Sequence, residues 1–387
     1  MCSPADGPEL LEIARGLQQR LTEERDRIEA GRRLPDDLAR DLARVGFFRI
    51  SLPAAYGGLD LAPADTLQIF EELARADASV AWCILNGNTH WTAAQLAPRA
   101  ASAVYADPHA ITANSTRSSG QANVVPDGYR VSGRWSLVSG CELAEWMVLL
   151  CVVHADGEPR LTAAGAPETR FMLLPIADCE IIDTWTVGGL RGTGSHDVVV
   201  RDVFVPEDFG SGFFDPYVLP EPRYRLPPFS RVIPGFGAMA LGIARTAIDS
   251  FCEIAGAKTP ERTTQMLRHN HGAQVRISQA ESLVQSARLF LFDSIDRLWQ
   301  ALLSTGEVTM QARATVRLAA SHAVTSAVKA VDLLYVGAGA SSLYVQCPLE
   351  RAFRDVHAIT LHIGVHPRVL ESAGRVLLGM DPDTPLL

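Results

Sequence analysis

The chain is 387 residues long, 47% hydrophobic and 20% charged, a composition that fits folded globular units and excludes a disordered chain or a fibrous repeat. Acidic residues outnumber basic ones 44 to 35, a net charge of −9, the wrong sign for a protein that holds nucleic acid through its phosphates.

The first 110 residues read as a helical domain. Apolar residues recur at helical spacing through Leu10, Ile13, Leu17 and Leu21, then through Leu38, Leu42 and Val45, where Gly46 breaks the pattern. Pro53, Gly57 and Gly58 mark the stretch Ser51–Asp60 as a loop, after which helical spacing resumes at Leu67, Phe70 and Leu73. The N-terminus carries acids and prolines in place of a basic stretch followed by an apolar one, so no secretory leader is expected.

Residues 111–216 change texture. Pro126-Asp127-Gly128 separates Ala122–Val125 from the alternating Tyr129, Val131, Gly133 and Trp135, which predicts a hairpin. Short strands follow at Met147–Val153, Phe171–Leu174 and Asp197–Val205, so a compact β domain is expected. The longest apolar run, Trp146–Val153, is far short of the roughly 18 residues that span a bilayer, so no membrane association is expected. Seven cysteines without a CxxC pair fit reduced thiols and a cytoplasmic location.

In the last block, 217–387, a proline-rich stretch from Pro216 to Pro234 leads into long helical patterns. These run through Leu241, Ile248 and Phe251, then Leu283, Leu291 and Leu302, then Val324, Val331 and Tyr335, as in a helical bundle.

Nucleotide and hydrolase signatures are missing: there is no GxGxxG opening a helix, no GxSxG elbow and no P-loop. His362 and His366 stand four apart, but no glutamate accompanies them and Gly364 and Pro367 disturb the helix, so no metal is expected. Three polar positions remain as candidates for chemistry: His90, Ser139 and His362. Each also has an ordinary structural reading, as a buried histidine, a turn former and a helix-end residue.

Three stretches resemble the acyl-CoA dehydrogenase superfamily: Leu52-Pro53-Ala54-Ala55-Tyr56-Gly57-Gly58-Leu59, Gly189-Leu190-Arg191-Gly192-Thr193-Gly194-Ser195, and Pro348-Leu349-Glu350-Arg351-Ala352-Phe353-Arg354-Asp355. The resemblance implies an α+β fold: an N-terminal helical domain, a middle β-barrel-like domain and a C-terminal four-helix bundle. Dehydrogenases of the superfamily place a catalytic glutamate after the Arg-Asp pair, whereas the corresponding stretch here is His362-Ile363-Gly364-Val365, and Ile363 takes no proton. Their Arg-x-x-Phe-Gly pattern is missing between Arg268 and Gln285.

The sequence is instead similar to the monooxygenase branch, the oxygenase components of two-component flavin systems. That likeness implies catalytic roles for Ser139, which would hold the N5 proton of a flavin C4a-hydroperoxide, for His362, with a pKa near neutrality, as substrate base, and for His90. It implies flavin contacts from Asn114, Ser115, Trp135, Ser139, Trp185 and Thr193, and from Gly339 and Ser341 supplied by a neighbouring copy. Trp91 and Phe236 are expected in the substrate pocket, and Trp82 is available to it. The implied cofactors are reduced FAD or FMN with O2; the implied partners are a separate NAD(P)H:flavin reductase, an aromatic phenolic or indole-type substrate, and further copies in a homotetramer. Competing readings are an acyl-CoA dehydrogenase or oxidase, which would need Glu142, Glu145 or Glu371 as base, and a non-catalytic binding member.

Overall fold

A computed structural model describes residues 6–384 and 387, without the side chain of Trp91; the pocket role expected of that residue lies outside the described residues. Six helices form the N-terminal part: α1 (Gly7–Gly16), α2 (Gln18–Gly31), α3 (Asp36–Val45), α4 (Pro63–Ala76), α5 (Ala78–Gly87) and α6 (Pro98–Val104). Gly46, at φ 101°, ends α3 in the left-handed region where a side chain is costly. Helix α5 is apolar on nearly every side and correspondingly buried. Asp77 caps its start by accepting from the Val80 amide, and Asn88 closes its end by donating to the carbonyls of Phe47 and Ile84.

The middle part is one eight-stranded sheet: β1 (Thr112–Val125), β2 (Gly128–Val138), β3 (Trp146–Ala155), β4 (Glu158–Pro159), β5 (Thr169–Pro175), β6 (Glu180–Ile182), β7 (His196–Pro206) and β8 (Gly210–Ser211). Strand order is β6-β7-β2-β1-β3-β5-β8, with β4 paired to β3. The hairpin turns at Pro126-Asp127, where Val125 pairs with Gly128 and Asp127 takes φ 63°. Between the pairs Ser115–Leu149 and Gly120–Cys151, four residues of β1 (116–119) face one of β3, so the strand bulges outward there.

Helices α7 (Pro228–Ala257), α8 (His271–Thr305), α9 (Met310–Ala338), α10 (Pro348–Thr360) and α11 (Arg368–Leu377) complete the chain. Helix α7 begins six residues before Pro234, not after the proline-rich stretch as the sequence suggested. A proline in the second turn removes only the bond to the first-turn carbonyl of Ser230, a small loss against the burial of this segment. By length and hydropathy α7 and the helical stretch Met310–Leu343 both pass for membrane spans, although no unbroken apolar run in the sequence is that long; 78% of the apolar window of α7 is enclosed by protein. A Cβ at Gly242 would stand 2.2 Å from the Glu71 carbonyl, so α7 lies directly on α4.

Two of the sequence stretches named above interlock. A Cβ at Gly189 would stand 2.2 Å from the Arg354 carbonyl, and the Leu190 amide donates to Asp355 Oδ1 at 2.6 Å. Arg354 also pairs with Glu29 and Glu350, joining the helical domain, the 188–190 turn and α10. This knot fixes where α10 ends and therefore where His362 stands.

Candidate functional site

Ser139 follows β2, 8% exposed. Its Oγ accepts from Trp82 Nε1 on α5 at 2.9 Å and lies 2.8 Å from Ser195 Oγ, which lies 2.7 Å from Thr193 Oγ1. The backbone that aligns these hydroxyls is unusual: Leu190 and Gly194 both take positive φ, and a Cβ at Gly192 would meet Ile28 at 2.0 Å. The 190–195 turn is thus wedged against α2 and α5, and the Gly140 amide donates to the Thr193 carbonyl at 2.9 Å. Trp185 Nε1 donates to the Arg191 and Leu190 carbonyls, so Trp185 fastens this turn.

His362 occupies the turn after α10, half-buried. Its ring is 4.1 Å from that of Phe236 on α7 and meets Trp82 edge-on at 5.8 Å. The turn sits tightly on α7, since a Cβ at Gly364 would stand 2.2 Å from Ile233. His362 Nδ1 accepts from the Gly364 amide at 3.1 Å, so the neutral ring carries its proton on Nε2. Burial first, then the charges of Arg317 and Arg117, depress its pKa to about 4. This shift runs opposite to the near-neutral titration expected from the sequence and favours the uncharged ring.

Arg117 lies on the β1 bulge, exposed, and its charge acts on His362 from there. Just before it, Ser115 Oγ accepts from the Arg117 amide, and Asn114 Nδ2 donates to the Asn86 carbonyl at 2.8 Å, tying β1 to α5 below Trp82. Ser139, Thr193, Asn114, Phe236 and His362 are therefore gathered around α5, with Ser115 next to Asn114 on β1.

Other expected residues stand elsewhere. Trp135 is fully enclosed in the β-domain core, its ring over Gly120 and Gly133 and its Nε1 donating to the Leu150 carbonyl at 2.7 Å; with no exposed surface it packs the sheet and is corrected from a flavin contact to a core residue. His90, 2% exposed, donates from Nε2 to the Phe48 carbonyl at 2.9 Å and stands edge-on to Tyr105 at 5.3 Å, and burial lowers its pKa to about 4. Among the described residues no hydrogen bond or ring contact links His90 to Ser139 or His362, and its buried Nδ1 has no hydrogen-bond partner. Gly339 and Ser341 lie past the far end of α9, roughly 30 Å along the helix from Arg317. Lys258 Nζ binds Ser341 Oγ there at 2.8 Å, so within one chain this turn does not reach the site.

The glutamates a dehydrogenase would need are occupied or remote. Glu142 faces Arg33 and His196, Glu145 accepts from the Ile111 amide, and Glu371 is exposed on α11. The Ile363 side chain at the dehydrogenase base position is 80% exposed. Among the described residues no group of three potential ligands could hold a metal.

Sequence reasoning missed Ser195, Arg117 and Arg317, and took Trp82 only as an apolar surface. A signal for Arg317 exists, because it shares the spacing of the buried Ala314, Ala320, Ser321 and Val324 and so puts a charge on a buried stripe.

The hydroxyl set fits a flavin. A serine or threonine hydroxyl both donates and accepts, which suits a ring nitrogen that is an acceptor when oxidised and a donor when reduced. Comparison with known proteins agrees. Residues 10–101 match the family model for the acyl-CoA dehydrogenase N-terminal domain and residues 234–367 that for its C-terminal domain. The chain is 31% identical to the flavin-dependent monooxygenase oxygenase subunit HsaA of Rhodococcus jostii, over 90% of this chain and 92% of the relative. It is 29% identical to indole-3-acetate monooxygenase of Pseudomonas putida, over 92% of each. The crystal structure of 3-HSA hydroxylase from Rhodococcus sp. RHA1 superimposes with a TM-score of 0.88 at 28% identity, covering 99% of both chains. The chain belongs to the acyl-CoA dehydrogenase superfamily, in its branch of flavin-dependent monooxygenase oxygenase components.

Proposed function

We propose that this protein takes reduced FAD or FMN from a separate reductase and uses it with O2 to hydroxylate an aromatic small molecule, phenolic or indole-like. The observation that carries this reading is the Thr193–Ser195–Ser139–Trp82 hydrogen-bond chain whose Trp82 ring meets His362, with no carboxylate hydrogen-bonded to these side chains among the described residues. Bound reduced flavin would supply the electrons that activate O2. Trp82 can only donate, so Ser139 Oγ keeps one proton and one lone pair for its other neighbours. When Ser139 donates to Ser195 and Ser195 to Thr193, that lone pair is free to accept the flavin N5 proton. His362 then presents Nε2–H to the substrate oxygen or nitrogen. Acting as a base would require its proton to leave Nε2, so we assign it first the role of a donor that orients the substrate. Trp82 and Phe236 supply the aromatic wall and exclude water.

The same reading includes a homotetramer, in which Gly339 and Ser341 of one copy complete a neighbour's flavin site. It is supported by exposed apolar side chains at Val336, Leu343, Tyr344 and Val345. It also includes a cytoplasmic location without membrane attachment. The test is an aerobic assay with NADH, flavin and a panel of phenols and indoles, with and without an unrelated flavin reductase. Hydroxylated product only with the reductase is the expected result. Product without it would contradict the two-component reading.

A further inference from the structure

Arg317 is a buried cation without a counter-charge. On α9 its side chain is 7% exposed, and Nε and Nη1 are fully buried without a hydrogen-bond partner. None of the ion pairs among the described residues involves it, and the charge that acts on it is another cation, Arg313. The Phe229 ring lies 5.7 Å from its guanidinium carbon, a contact that favours a cation but satisfies no N–H. Burying an arginine in this way is costly unless an anion joins it.

Its position says which anion. Phe229, Ile233 and Phe236 share one face of α7 at i, i+4 and i+7; Phe229 meets Arg317, while Ile233 and Phe236 meet the His362 turn. Arg317 is close enough to His362 to depress its protonation, as is Arg117 from the opposite domain. The carboxylate of a substrate held by His362 would find its counter-charge in this guanidinium, whose planar fork matches it.

We infer that Arg317 is a specificity-determining residue and that the substrate is an aromatic acid whose carboxylate it receives. This rests on the hydroxylase reading and narrows its substrate class. The anion could in principle belong to the substrate or to a flavin phosphate, and the test separates the two.

Dissociation constants are measured for indole-3-acetate, 4-hydroxyphenylacetate and benzoate, each beside its neutral amide, and for reduced FAD and FMN. Wild type is expected to bind at least one acid about tenfold or more tightly than its amide. R317Q removes that preference by weakening the acid alone, R317K retains part of it, and flavin affinity is unchanged. Because the acid–amide comparison in wild type needs no variant, a misfolded R317Q does not shield the inference. It is overturned if no acid outbinds its amide, if R317Q weakens acid and amide equally, or if it weakens reduced flavin instead. Hydroxylation of neutral indoles or phenols without acid preference would remove this inference and leave the hydroxylase reading standing.

Discussion

Trp82 donates its indole N–H to Ser139 at 2.9 Å while the same ring meets His362 edge-on at 5.8 Å, so one side chain of α5 joins the β domain to the turn after α10. The two residues assigned to chemistry come from segments more than 200 positions apart. They stand on either side of a rigid indole, and disturbing its N–H or its ring has separable consequences. Trp82→Phe keeps the wall and removes the donor. Ser139 then loses a bond of about 1 kcal/mol, and hydrogen peroxide per turnover should rise a few-fold while substrate affinity stays within twofold. Product and peroxide measured together check this.

Ser139→Ala removes the acceptor itself. The loss of a buried bond of about 1–3 kcal/mol predicts peroxide release up roughly ten- to a hundredfold with substrate binding retained. Unchanged peroxide yield would return Ser139 to a turn former.

Ser195→Ala acts through Ser139. Without Ser195 the Ser139 proton has no fixed acceptor, which opposes a donor on the flavin but suits an acceptor. The affinity for reduced flavin should therefore fall by about two- to tenfold while that for oxidised flavin is unchanged. Equal losses for both forms, read by titration, would show a purely structural serine.

His362→Ala removes the donor that orients the substrate, a bond of about 1–3 kcal/mol, and should slow hydroxylation roughly ten- to a hundredfold while peroxide is still formed. Because its pKa lies at about 4, the wild-type hydroxylation step should be flat from pH 6 to 8 as far as this group is concerned. An inflection near pH 6.5 that disappears in His362→Ala would contradict the neutral, Nε2-protonated ring.

His90 links burial to acid stability. Its folded pKa of about 4 lies below the unfolded 6.5, so the unfolded chain binds more protons between those values. The stability it contributes is present above pH 6.5 and is lost as pH falls to 4, by roughly 3 kcal/mol for this shift. His362 acts in the same sense, and Asp355, raised to about 7 by burial, in the opposite one. Both cancel when wild type is compared with His90→Asn, whose stability gap in urea titrations should close from pH 6.5 to 4.

The fold was legible where local signals and the core agree: the helix stripes and the Pro126-Asp127 hairpin appear in the sequence as periodicity and turn chemistry, whereas the interlocking of Gly189 with Arg354 joins two motifs whose contact no spacing encodes. The start of α7 was not, because Pro228 and Pro234 read as loop while tertiary burial of Phe229, Ile233 and Phe236 outweighs their propensity. Within the candidate site, Ser139 and His362 were singled out by position, and the structure brings both against Trp82. Their partners were not singled out, because Trp82 and Ser195 come from distant segments and their importance lies in a donor direction that no spacing encodes. Trp135 misled for the reverse reason: a tryptophan on a strand near the site looks available, yet Gly120 and Gly133 leave room for it only in the core.

The most direct test is a single turnover under 18O2, with anaerobically reduced flavin, the protein and an aromatic acid, and no reductase present. One 18O atom in the hydroxylated product, approaching one product per reduced flavin, is the expected result. Flavin reoxidised to peroxide with no labelled product from any phenol, indole or aromatic acid would contradict the account.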